Sequence, residues 1–415
     1  MNLIAVIILV TIVSDIILNG IADILNIKML KNELPEAFSD VYDADRYRKS
    51  QEYLRVNTRF GWIASIFGIA VILVFWFGKG FPVLDQWVRA YEMGPVVTGL
   101  MYMGILVSVK ALISLPFEIY ATFVIEERFG FNKTTWKTFI LDRVKGLILS
   151  LIIGVPLLAG ILAFFEYAGD NAWWICWGVV TFVMLIIQFV APRWIMPLFN
   201  KFDPIEEGEL KDAIMDYARS IKFSLENVFV MDGSKRSSKA NAFFTGFGKN
   251  RRIVLFDTLI KENTVSELVA VLAHEMGHFK KKHIFQTMAI GILQMGVMFF
   301  LLSVFISYQG LFDAFYMDQK SVYAGMIFFG MLYSPIDFFV GIFMQMFTRK
   351  NEYTSDRFAV ETTGKAKPLI TALKKLSANN LTNLVPHPFY VFLNYSHPPV
   401  LERINAISQI KVGQH

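Results

Sequence analysis

The chain has 415 residues, enough for two or three soluble domains, yet 54% of them are hydrophobic, only 18% are charged and the mean hydropathy is +0.46. A soluble surface needs more charge than that, so the composition excludes a string of water-soluble domains and points to a polytopic membrane protein. The net charge of +5 reads as membrane topology plus contact with anionic lipid, not as nucleic-acid binding.

Seven apolar runs are long enough to cross roughly 30 Å of hydrocarbon as helices. They cover about 3–25, 61–78, 99–125, 145–165, 173–191, 284–308 and 322–347. The first has no basic residues before it and no small-residue cleavage site, so it reads as a retained span rather than a signal peptide. Cys176 is the single cysteine and lies within an apolar run, so no disulfide framework is available. Cations check the span count independently. Lys and Arg number 7 between spans one and two, 5 between three and four with Lys145 at the start of span four included, 15 between five and six and 9 in the C-terminal tail, which is 36 of 40 on one side. By the positive-inside rule that side is cytoplasmic, and dropping any one span would destroy the alternation. Asp15, Asp23, Lys110, Glu118 and Asp337 lie inside apolar runs. They read either as paired or snorkelling groups near helix ends or as the lining of a polar interior. No internal repeat and no low-complexity tract is visible.

The expected layout is spans one to five over 1–191, a large cytoplasmic segment over 192–283, spans six and seven over 284–347, and a cytoplasmic C-terminal segment over 348–415. The segment 192–283 has the pattern of a compact α+β unit. Residues 206–222 show helical periodicity with acids early and bases late. Residues 227–232 read as a strand, and 240–257 as a hairpin turned at Gly248–Asn250. Thr264 and Glu267 form a capping box that opens a helix, and that helix is expected to run almost unbroken into span six.

Within the helix stands His274-Glu275-Met276-Gly277-His278. Histidines at i and i+4 project from nearly the same face, so both imidazoles can reach one tetrahedral zinc. Glu275 lies about 100° round the axis, where it can take a proton from the attacking water and pass it to the leaving amine. With six His in the chain, a chance match arises on the order of a few times per thousand such sequences. Unpaired as ordinary core residues, these polar groups would be costly.

Two histidines leave one protein ligand missing, and no third His follows at the short spacing. Span six leaves the surface just after His278, and span seven returns to the same surface near Phe347. Glu352 follows about one turn later, with Asp356 on the same helix face. One of these carboxylates can bind the metal while the other orients a ligand imidazole. Asp356 is also a candidate for proton transfer.

The motifs SKRSSKANAFFTGFGKNRRIVLFDTL (234–259), VLAHEMGHFKKKH (271–283), RKNEYTSDRFA (349–359) and NYSHPPVLERI (394–404), in that order among seven spans, resemble the type I CAAX prenyl endopeptidases, membrane zinc proteases of the gluzincin kind. The resemblance implies a mainly α membrane protein in which seven transmembrane helices enclose a chamber, capped on the cytoplasmic side by an α+β zinc metalloprotease unit. It implies one Zn2+ per chain on His274, His278 and Glu352, with Glu275 as base and Asp356 as supporting or proton-donating acid. His397 would stabilise the oxyanion, or else serve only as a turn residue before Pro398-Pro399. Asn241 and Ala242 would form a substrate-binding edge strand, the alternative being an ordinary hairpin strand. Phe243, Phe244 and Phe247 would supply apolar pockets or core. Arg403 is given a structural part, and His283, His387 and His415 none.

The implied reaction is removal of the last three residues from a prenylated CAAX protein. The expected partners are a peptide or lipidated protein and the bilayer, with no nucleic acid. Rival readings are a membrane quality-control protease, which would have fewer spans, a transporter or channel, which would need neither zinc nor Glu275, and an idle scaffold. The C-terminus carries no dilysine retrieval signal, which favours a bacterial inner membrane over the endoplasmic reticulum.

Overall fold

The computed structural model describes residues 2–31, 33–225, 227–245 and 252–411. Seven helices in it are long and apolar enough to span: Leu3–Lys28, Ala44–Phe77, Pro95–Glu126, Trp136–Tyr167, Gly169–Leu198, His283–Phe305 and Val322–Thr363. Each expected run matches one of them, although span six ends at Phe305 rather than 308 and span two at Phe77 rather than 78. Two reach well beyond the expected run on the side of the metal motif. Span two begins at Ala44 and span seven runs for 42 residues to Thr363, because their amphipathic ends find protein to pack on once they leave the apolar layer.

Neighbours in sequence are neighbours in space. Spans one and two touch, as do three and four, four and five, five and six, six and seven, and seven and one. Phe117 of span three meets Phe60 and Phe67 of span two. The spans thus close a ring. Within their apolar windows only 6–17% of residues are buried, far too few for a packed bundle. The buried positions sit at the two ends. Span two has none between Gln51 and Trp76, and span seven none between Tyr333 and Asn351. A ring of helices with a core at each end and none between them surrounds a hollow.

The far end is sealed by aromatic packing. Trp76, Phe81, Phe312, Phe315 and Phe328 form one cluster, fed by the short helices Gly80–Arg89 and Gln309–Asp313. Phe315 and Phe328 stack at 3.9 Å, and Trp76 donates from Nε1 to the Ala314 carbonyl at 2.7 Å. Arg89 pairs with buried Asp85 at 2.7 Å, and the Tyr323 hydroxyl bonds the same carboxylate, tying this plug to span seven.

The other end is an α+β cap. Its sheet has the order β1 (Phe202–Pro204), β2 (Asn227–Met231), β4 (Arg252–Phe256), β3 (Ala242–Thr245). β2 and β4 are parallel, and the outer pairs are antiparallel. The expected strand and hairpin are present, with the turn at Gly248–Asn250 and Phe247 outside the described residues. β1 and the helix Asp257–Glu262 have no counterpart in the sequence reading, being too short to show periodicity. One buried core joins the sheet (Val228, Ile253, Leu255) to the helices Val265–Lys280 and Ala366–Asn379, and it takes in Phe38, Tyr42 and Tyr47 from before and within span two.

Four of the five ionisable residues in the apolar runs have polar partners: Asp15 with Asn19, Asp23 with Trp62, Glu118 with Arg143 and Asp337 with Gln294. Lys110 is exposed.

Candidate metal centre

The helix Val265–Lys280 begins with the expected capping box, Thr264 and Glu267 each bonding the other's backbone N–H. Leu268, Leu272, Ala273 and Met276 bury one face in the cap core, which turns His274 and His278 toward span seven. Gly277 sets the approach. A Cβ there would lie 3.2 Å from the Ser355 Cα and 3.1 Å from the Phe358 ring, so the small residue lets the two helices come close enough for Glu352 to reach both imidazoles.

Three donors converge. His274 Nε2 and His278 Nε2 are 3.1 Å apart, while Glu352 lies 3.4 Å from the first and 3.2 Å from the second. The two Glu352 distances belong to different oxygens, Oε2 facing His274 and Oε1 facing His278. Taking one donor atom from each residue, all three lie within 4.8 Å of one another, close enough to share one metal ion with arms of about 2.0–2.1 Å. Glu352 Oε2 is buried and accepts no hydrogen bond, the Arg403 Nη1 at 3.2 Å being an ion-pair neighbour only, so it is an acceptor that a metal ion would satisfy. The residues present therefore fit a metal, and all three line one cleft.

Asp356 and Arg403 support this group. His274 Nδ1 donates to Asp356 Oδ1 at 2.8 Å, which leaves Nε2 free as a ligand. Arg403 grips the same carboxylate with two bonds, Nε to Oδ2 at 2.8 Å and Nη2 to Oδ1 at 2.6 Å, and its Nη1 lies 3.2 Å from Glu352 Oε2. With no ion at Nε2, burial pulls the His274 imidazole down, but the bonds to Asp356 and Glu352 outweigh it and push the pKa up to about 9, so a metal binding at Nε2 would displace a proton. Burial pushes the Glu275 carboxyl up.

A cleft of about 750 Å3 opens onto the site. Its walls include Glu275, Asn241, Ala242, Phe243, Phe244 and His397, and it continues past Gln188 and Thr287 into the ring of spans. β3 is the last strand of the sheet and borders the cleft. Asn241 Oδ1 accepts from the Ala242 N–H at 2.8 Å. Phe244 packs on Phe223 and Phe279, so it serves the core as well as the cleft wall. His397 is 63% exposed, with Nε2 3.5 Å from Glu352 Oε1 and Nδ1 3.0 Å from Ser396 Oγ.

Two residues that the sequence reading set aside stand at the centre. Arg403, read as structural, bridges both carboxylates, and its only sequence signal is its place in a quoted motif. His283, given no role, lies against His278. The helix that was expected to run on into span six breaks instead, with Lys282 left-handed at φ 61°. His387 caps the helix Pro388–Asn394, accepting from the Phe389 N–H, while His415 lies outside the described residues.

A seven-span ring, a cap and a His-His-Glu group with an adjacent acid define a membrane-embedded metallopeptidase. Comparisons agree. The family described as CAAX prenyl protease N-terminal, five membrane helices, matches residues 23–201, and peptidase family M48 matches residues 204–411. CAAX prenyl protease 1 of Saccharomyces cerevisiae is 34% identical, with 92% of this chain and 90% of that protein covered. The Arabidopsis thaliana homologue is 36% identical with 90% of each covered, and the human homologue 32% identical with 91% and 89% covered. The crystal structure of S. mikatae Ste24p superposes with a TM-score of 0.91 at 32% identity, over 98% of this chain and 99% of that one. The chain belongs to the CAAX prenyl protease family, peptidase family M48. These relatives are eukaryotic, which gives no support to the bacterial inner membrane expected above; the absence of one retrieval motif carries no weight against them.

Proposed function

We propose that the protein is a zinc endopeptidase that removes the C-terminal tripeptide from prenylated CAAX-type proteins, working at the cytoplasmic face of its membrane. The observation that carries this is the convergence of His274, His278 and Glu352 within reach of one ion, with Glu275 beside them in a cleft that leads into the ring of spans. The concentration of 36 of 40 cations on the cap side supports the orientation. The names of the relatives supply the substrate class.

Zinc on these three residues would polarise the scissile carbonyl as a Lewis acid. The other work falls to the chain. Glu275 takes a proton from the attacking water at its carboxylate and returns it to the leaving amine. Ser396 fixes the His397 ring at Nδ1, so that Nε2–H is presented to the developing oxyanion. Asp356, held by Arg403, keeps the His274 proton on Nδ1. Asn241 and Ala242 at the head of β3 hold the substrate backbone as an added strand. A cleavage site at the foot of the spans suits a lipid-anchored chain, whose prenyl group stays in an apolar phase while its C-terminus reaches the metal.

The test compares wild type with Glu275→Gln for bound zinc and for tripeptide release from a farnesylated CAAX peptide. Equal activity in the two sinks the mechanism. A zinc-loaded wild type that cleaves other peptides but ignores the prenylated one keeps the mechanism and removes the substrate.

A further inference from the structure

In a continuous helix, residues 278 and 283 would diverge by about 140° round the axis. The left-handed turn at Lys282 folds His283, the first residue of span six, back under His278 instead. The two Nδ1 atoms lie 3.2 Å apart, and the ring planes cross at 78°. On its other side His283 Nε2 lies 3.1 Å from Thr354 Oγ1, which donates to the Asn351 carbonyl at 2.8 Å. Ser355 Oγ also approaches His283 Nδ1, at 3.4 Å. His283 is 6% exposed.

Two ring nitrogens at this distance share one proton, with one donating and the other accepting. His278 offers Nε2 to the metal, so its proton is on Nδ1 and it is the donor. His283 then accepts at Nδ1, carries its own proton on Nε2 and gives that hydrogen bond to Thr354. Every donor in the chain from the metal to Asn351 is thereby assigned, and the chain ends on the peptide next to Glu352.

We propose that His283 is a positioning residue of the metal centre: it accepts the Nδ1 proton of His278, holds that imidazole with Nε2 toward the metal, and ties it through Thr354 to the helix that carries Glu352. His274 has a charged acceptor, Asp356, in the equivalent place; His278 has a neutral one supplied by a membrane span. The proposal rests on the reading of His274, His278 and Glu352 as zinc ligands.

The experiment measures zinc affinity by chelator competition, and the visible spectrum of the cobalt-loaded protein, on the full chain in detergent. His283→Phe keeps ring volume without an acceptor, and His283→Asn restores an acceptor near the Nδ1 position. His283→Phe is expected to weaken zinc about 10- to 100-fold and to shift the cobalt bands, with His283→Asn recovering most of the loss. Wild-type affinity and spectrum in His283→Phe overturn the proposal, as does equal loss in both variants. Should His283→Phe fail to fold, Thr354→Val decides: weakened zinc supports the chain, and unchanged zinc overturns it. His278→Ala separates the two levels. If it binds zinc like wild type, the ligand assignment itself fails; if it loses zinc while His283→Phe keeps it, only the proposal falls.

Discussion

The cap and the far-end plug are both buried cores of the same chain, built by different rules. In the cap, aliphatic residues from a sheet and several helices enclose a charged group in which Glu352, Asp356, Arg403 and His274 are each at most 8% exposed. Water outside the cap drives that burial, and the charges are tolerated because each has a partner. In the plug the packing is aromatic and close. Gly325 is hemmed in by Ile306 and Phe312, Gly99 by Tyr323, and the indole of Trp76 is satisfied by a carbonyl. Apolar surface gains little from leaving lipid for protein, so shape and hydrogen bonds must hold the ring closed. One core is arranged around chemistry and the other around closure, with a hollow between them.

That division can be broken by substitution. The largest effect belongs to Glu275→Gln, which should lower kcat by about 10²- to 10⁴-fold with zinc content and cap stability intact, read by peptide hydrolysis beside metal analysis. Next, Arg403→Leu leaves two buried carboxylates short of their cation and should cost the cap about 3–5 kcal/mol, seen as faster hydrogen exchange in β2 and β4 while the plug exchanges as before. Phe315→Ala should destabilise the plug by about 3 kcal/mol, with exchange rising in Gly80–Arg89 and Gln309–Asp313 and kcat unchanged. A fall in kcat there would mean that the two cores are coupled and the division is wrong. The smallest effect is that of Thr264→Ala, which removes the capping box and should cost about 1 kcal/mol, as fraying of the first turn ahead of a metal site that stays filled.

Much of the molecule was legible before any coordinates. Span count followed from hydropathy and cation alternation, and the long helices reproduce all seven. Spacing in His274-Glu275-Met276-Gly277-His278 puts two imidazoles on one face whatever the rest of the fold does. The placing of Glu352 needed one further step, the return of span seven to the same surface. Arg403 and His283 were not legible. A buried arginine 47 positions from its carboxylate partner looks like any arginine, and His283 reaches His278 only because Lys282 adopts a conformation that helical periodicity does not forecast.

Sequence by itself therefore determined what depends on local spacing and on transfer to lipid: the spans, the capping box, the strand β2 and the pair of histidines. Tertiary structure alone decided the hollow ring, the close approach at Gly277, the grip of Arg403 on both carboxylates and the fold-back of His283. The reason is physical. Hydropathy and helical period act over one or two turns, whereas the contacts that complete a metal site join residues 47 to 129 positions apart, and only packing brings those together.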